Sequence, residues 1–78
     1  MPVIARIFGI VLKMYYNDHA PPHFHAEEAE SSGLLRIENG EMLNGNLSPK
    51  TQKIVQDWAL QNKEKLNEMW NAQKIEKI

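Results

Sequence analysis

All three histidines of this chain, His19, His23 and His25, fall inside one stretch, YYNDHAPPHFHAEE (Tyr15 to Glu28), in the arrangement H-x-x-x-H-x-H. On an extended strand alternate side chains share a face, so His23 and His25 project together while Phe24 projects the other way, towards a core. Their Cβ atoms would then sit about 7 Å apart, close enough for two imidazoles to share one ion. Glu27 continues the same face. His19 returns towards it from a loop stiffened by Pro21 and Pro22. Three imidazoles and a carboxylate, from His19, His23, His25 and Glu27, make a donor set suited to a divalent first-row transition metal such as zinc or nickel.

A second chemistry uses the same imidazoles without an ion. Histidine titrates near neutral pH, so His23 and His25 can act as acid and base in phosphodiester cleavage. That reaction needs a cation for the charge developing on the phosphorane, and Arg6, Lys13 and Arg36 stand on neighbouring predicted strands. Small β-sheet ribonucleases of bacterial toxin type work with this kind of inventory. Whether the cations face the histidines depends on a strand register that alternation alone leaves open. Tyr15 shares a face with Lys13, as a surface phenol or as part of a groove. A third reading is docking, with PPHFH as a stiff, proline-led edge strand that offers its backbone to a partner's strand.

Each reading has a plainer counterpart. His19 can simply cap the NDHAPP turn. His23 and His25 can be polar residues on a solvated strand face, where they contribute little to folding. Glu27, Glu28 and Glu30 can be a solvated charge run. Trp58 and Trp70, at helical spacing, read as core anchors rather than as a base-stacking platform.

The elements that must position these groups divide the chain in two. VIARIFG and IVLKMYY are rich in β-branched and aromatic residues, with Gly9 between them as a bend. Ile10, Leu12, Met14 and Tyr16 form the more apolar face of the second run and are expected in the core. The dipeptides Asn17-Asp18 and Pro21-Pro22 end that strand. HFHAEEAE resumes an extended pattern, SSG is expected to turn, and LLRIE returns as a hairpin partner. Asn39-Gly40 is a two-residue hairpin signal, and Asn44-Gly45 ends the short segment after it.

From Ser48 the period changes. Ser48 is a suitable N-cap, with Pro49 at the first helical position. Ile54, Val55, Trp58, Ala59, Leu66, Met69 and Trp70 fall on one stripe, interrupted at Asn62, where a second helix is expected to be capped. The tail NAQKIEKI is expected to fray.

Composition narrows the classes. A chain of 78 residues buries only about 60–65% of its unfolded surface and is expected to gain from pairing, a homodimer being one form of it. The net charge of -1 and pI of about 6.3 give no global basic signature for nucleic acid. The absence of cysteine excludes a disulfide scaffold, a thiolate metal site and a cysteine nucleophile. Arg6 and Lys13 break the apolar N-terminus below the roughly 20 residues a membrane span needs. No signal peptide is expected, and a cytoplasmic setting is.

The segments MPVIARIFGIVLKMYYNDHAPPHFHAE and EKLNEMW resemble the small bacterial family called domain of unknown function 4160. The most specific part is DHAPPHFHA, Asp18 to Ala26, and Met1, Pro2 and Arg6 match as well. The resemblance makes Asp18, His19, Pro21, Pro22, His23 and His25 the family's pattern in this chain. It implies no established activity. It does imply a neighbouring gene for another small protein, in an arrangement like that of toxin–antitoxin pairs. Arg36 belongs to no such pattern, and its role rests on the chemical argument alone.

These readings give an α+β fold over residues 1–78. A β meander of about four to five strands occupies 1–47, against one kinked or two C-terminal helices in 48–75. The expected function is a component of a toxin–antitoxin-like module that binds a protein partner encoded nearby, and RNA. The alternatives are a histidine-based or metal-dependent phosphodiester hydrolase and an interaction domain built on the docking strand. In the hydrolase, His23, His25, Arg6 and Lys13 are the catalytic candidates. Asp18, His19, Pro21, Pro22, Tyr15 and Arg36 are the binding candidates.

Overall fold

The computed structural model describes residues 3–16 and 18–78. Met1 and Pro2, which entered the resemblance, and Asn17, which entered the expected turn, lie outside the described residues. Five strands come first: β1 (Val3–Ile7), β2 (Ile10–Lys13), β3 (His23–Glu28), β4 (Ser31–Arg36) and β5 (Met42–Gly45). Two helices follow, α1 (Pro49–Gln61) and α2 (Lys63–Ala72). The sheet order is β1-β2-β3-β4-β5 with every neighbouring pair antiparallel. The expected α+β meander is the fold found.

Alternation sets the layers. Ile10, Leu12 and Met14 are fully buried, together with Ile4, Phe24, Ala26 and Leu35, against Val55, Ala59, Leu66 and Met69 of the helices. Tyr16 departs from this pattern. β2 ends at Lys13, so the alternation no longer carries Tyr16 inwards; it is exposed, and its hydroxyl donates to the Ile75 carbonyl at 3.3 Å.

The turns also differ from expectation. The β3–β4 turn falls at Ala29-Glu30, with Ala29 at φ 52°, and not at Ser31–Gly33. Gly33 sits inside β4 because the space its Cβ would take is filled: Leu47 Cδ1 and Met42 Sδ would each lie 3.0 Å away. Here a strand glycine marks close packing rather than a bend. Asn39-Gly40 closes a longer loop than a two-residue hairpin. The Arg36 amide donates to the Glu41 carbonyl, and the Gly40 amide to the Arg36 carbonyl, both at 2.8 Å. Ile37 is drawn out of the ladder because its side chain is buried and its amide donates to the Pro22 carbonyl at 3.1 Å.

The helices begin as expected, with Ser48 Oγ accepting from the Thr51 amide at 3.2 Å and Pro49 in the first turn. They meet at Asn62. Its side chain closes α1 rather than capping α2, since Nδ2 donates to the Trp58 carbonyl at 2.9 Å. The tail is laid down rather than frayed: Ile75 packs on the core, and the Ile78 amide donates to the Ile4 carbonyl of edge strand β1 at 2.7 Å. No helix among the described residues is long and apolar enough to cross a membrane.

Candidate functional site

β3 is the middle strand, paired with β2 on one side and β4 on the other. Its backbone donors and acceptors are therefore used within the sheet, which overturns the docking-edge reading of PPHFH. Its side chains divide as alternation requires. Phe24 and Ala26 are buried in the core, and Glu28 reaches α1, where it accepts from the buried Thr51 hydroxyl at 2.6 Å. Glu28 is thus a tie between sheet and helix, not part of a solvated charge run.

His23, His25 and Glu27 take the opposite face, and the register answers what the sequence left open. Lys13 stands opposite His25, Arg36 opposite His23, and Arg6 pairs with Val11, itself opposite Glu27. All three candidate cations share the histidine face. Lys13 is engaged there by Glu27, Nζ to Oε1 at 3.0 Å, so Glu27 neutralises a lysine and stands outside the imidazole cluster.

The carboxylate that does meet the imidazoles comes from the loop. Asp18 Oδ2 lies 2.9 Å from His23 Nε2 and 3.4 Å from His25 Nε2. One ligand atom from each of these three residues lies within 4.8 Å of the others, the geometry of a group able to hold a metal ion. Asp18 Oδ1 accepts from the His19 amide at 2.9 Å, which fixes the carboxylate. The His19 ring, 89% exposed, brings Nδ1 to 3.1 Å from Oδ1 and tilts against the His23 ring at a centroid distance of 5.7 Å. The donor set brought together is Asp18, His23 and His25; His19 and Glu27 fall outside it.

His23 is held most firmly. It is 3% exposed, and its Nδ1 lies 2.7 Å from the Pro21 carbonyl oxygen, which can only accept. Nδ1 therefore carries a hydrogen. Nε2, facing a carboxylate, then has two favourable states. It is protonated and donates to Asp18, or its lone pair shares a cation with Asp18. The second state matches the usual arrangement of a metal-binding histidine, whose other ring nitrogen donates to a backbone carbonyl. The Ala20–Pro21 peptide preceding this contact is cis.

The electrostatics agree with either state. Burial raises the Asp18 pKa, but the His19 amide, the hydrogen bond from His25 and the charge and hydrogen bond of His23 outweigh it and leave the carboxyl below its ordinary value. Burial pushes the His25 imidazole below its ordinary 6.5, more than its hydrogen bond to Asp18 restores. With the imidazole depressed, Nε2 donating to Asp18 leaves the lone pair on Nδ1, and an ion held at Nε2 would replace that hydrogen.

Aromatic rings frame the cluster. Tyr15 meets His25 edge-on, with ring centroids 4.5 Å apart, and Trp70 of α2 lies 5.2 Å from the His23 ring. Trp58 instead packs edge-on against Phe24 at 5.7 Å. Sequence reasoning placed Trp70 in the core and missed its contact with the histidine. It named Asp18 as a binding residue but not as a ligand, although a carboxylate five residues before one histidine and seven before the next was the available signal. Beside His25, a groove of about 330 Å³ opens along the sheet, lined also by Glu27, Ser32, Leu34 and Asn44. Two imidazoles and one carboxylate with room beside them can hold a transition metal and leave coordination positions open.

A family model described as a domain of unknown function, DUF4160, matches residues 9–71. That span holds Asp18, His23, His25 and Trp70; Met1, Pro2 and Arg6 precede it. No curated protein matches, and no solved structure does.

Proposed function

The chain belongs to the DUF4160 family, and on that premise we propose that its functional centre is a divalent transition-metal site, zinc or nickel, in a phosphodiester hydrolase. The supporting observation is the meeting of Asp18 Oδ2, His23 Nε2 and His25 Nε2, with His23 oriented from behind by the Pro21 carbonyl. An ion bound there supplies Lewis acidity and lowers the pKa of water. Pro21 keeps the His23 proton on Nδ1, Asp18 supplies negative charge, and His25 joins this centre to the groove. Arg6 and Arg36 on the same face, where Lys13 is already paired with Glu27, favour an anionic substrate such as RNA.

Calorimetric titration with zinc and nickel at neutral pH tests this reading. The expected result is one ion per chain, lost in Asp18→Asn and in the double variant His23→Ala/His25→Ala. Binding unchanged in folded variants overturns it.

A second reading uses Asp18 and His23 as a metal-free acid–base pair, favoured by their direct 2.9 Å contact. Cleavage of RNA that persists in a strong chelator selects it. The biological setting we propose is a cytoplasmic toxin–antitoxin-like module with a protein partner. Phe8 supports a partner surface: it is 85% exposed on the β1–β2 turn, at φ 48°, a conformation uncommon for a bulky residue.

A further inference from the structure

Among the described residues three lysines have carboxylate partners: Lys13 with Glu27, Lys53 with Asp57 and Lys65 with Glu76. Arg36 and Lys63 have none within 4 Å among the described residues, yet both line one cleft. It measures about 210 Å³ and is bounded by Pro21, Pro22, Arg36, Glu38, Lys63 and Asn67. The Arg36 Nε is buried and has no hydrogen-bond partner among the described residues. Leaving a buried donor unpaired is costly, more so for a charged group. We infer that this cleft is an oxyanion site that takes a phosphate group.

The chemistry of the lining fits that ligand. A guanidinium presents several donors in a planar fork that matches a phosphate, and the Lys63 ammonium adds a point charge. Asn67 contributes an amide that can donate. The two prolines form an apolar wall on one side, where lower polarity strengthens the attraction between ligand and cations. Glu38, exposed at the cleft, opposes an anion and makes no ion pair with either cation.

The cleft is separate from the metal triangle but linked to it through two elements. Pro21, which lines it, accepts from His23, and Arg36 stands opposite His23 across the β3–β4 ladder. A phosphate here would flank the Asp18–His23–His25 centre rather than sit on it. Phosphate held by this cleft can be free or part of a nucleic acid chain, and the two sources can be told apart.

The test is a titration of the whole chain with inorganic phosphate in the presence of a chelator, followed by amide and side-chain NMR shifts. Saturable shifts are expected at Arg36 Nε–H, Lys63 and the Asn67 amide. Lys63→Gln, an exposed change that spares the fold, should weaken binding roughly tenfold. Glu38→Gln should tighten binding, and Lys53→Gln should leave it unchanged. A short oligoribonucleotide that competes at the same resonances identifies the phosphodiester as the source; phosphate binding without competition identifies the free ion. Absence of saturation, shifts unmoved by Lys63→Gln, or binding that requires added metal each overturns the inference. The last outcome would put phosphate on the metal triangle and leave the proposed function standing.

Discussion

The two faces of β3 use one rule of alternation and reach opposite results. Towards the helices, Phe24 and Ala26 enter a dry core, and the single carboxylate there, Glu28, is tied to the buried Thr51 hydroxyl. Away from the core, His23, His25 and Glu27 meet charges of both signs: Asp18 from the loop, Lys13 from β2 and Arg36 opposite on β4. On the helix-covered face Phe24 and Ala26 are satisfied by packing, and the Thr51 hydroxyl both accepts from Ser48 and donates to Glu28. The other face concentrates nitrogen and oxygen ligands whose best state requires a proton or a cation between them. The comparison separates residues that hold the fold from residues that hold a ligand, although His23 stands in both groups.

Breaking the covered face should have the largest effect. Phe24→Ala removes a fully buried ring in contact with Trp58 and should cost about 3–5 kcal/mol, enough to unfold so small a domain. Thermal denaturation followed by circular dichroism measures this. A variant that melts near the wild-type temperature would mean the core closes without that ring.

On the other face the effect should be graded. His23 is buried and bonded at both ring nitrogens. His23→Ala should therefore destabilise by about 1–3 kcal/mol through the unpaired Pro21 and Asp18 oxygens. This revises the expectation that both histidines contribute little to folding. His25→Ala, at a half-buried position with a longer bond to Asp18, should cost less than His23→Ala. Chemical denaturation of both variants side by side checks the order, and equal losses would remove the distinction between the two rings.

The smallest effect concerns pH. The His25 imidazole is depressed in the folded protein, so the unfolded chain binds its proton more readily. Stability should therefore decline as pH falls through the unfolded value of 6.5 and level off below the folded one. The depressed Asp18 carboxyl adds stability that is present above its ordinary 3.8 and is lost only at more acidic pH, as the folded group protonates. Melting temperature measured from pH 7.5 to 5.5 should fall without metal, and His25→Gln should flatten the slope. An identical slope in the variant would place the titrating group elsewhere.

Much of this comparison was legible in the sequence, because period and caps are local properties. The alternation of Ile10, Leu12 and Met14, the break at Asn62 and the Ser48–Pro49 start need only neighbours a few residues apart. The projection of His23 and His25 from one strand face is equally local, whereas the burial of His23 under Trp70 is not. What was misread depends on distant contacts. Gly33 looked like a turn because composition does not reveal Leu47 and Met42 pressed against it. Edge and centre positions follow from the order of all five strands, so PPHFH could not be placed in the middle from its own residues. The Lys13–His25 register and the approach of Asp18 and Trp70 to His23 are set by loop paths, which side-chain period does not encode.

A crystal of the zinc-loaded protein, with anomalous scattering measured at the zinc edge, would locate the ion and its ligands outright. One peak is expected about 2.0–2.2 Å from His23 Nε2, His25 Nε2 and an oxygen of Asp18, with His23 Nδ1 still donating to the Pro21 carbonyl. A peak on exposed His19 alone, or none on this triangle at full zinc loading, would contradict the proposed metal site.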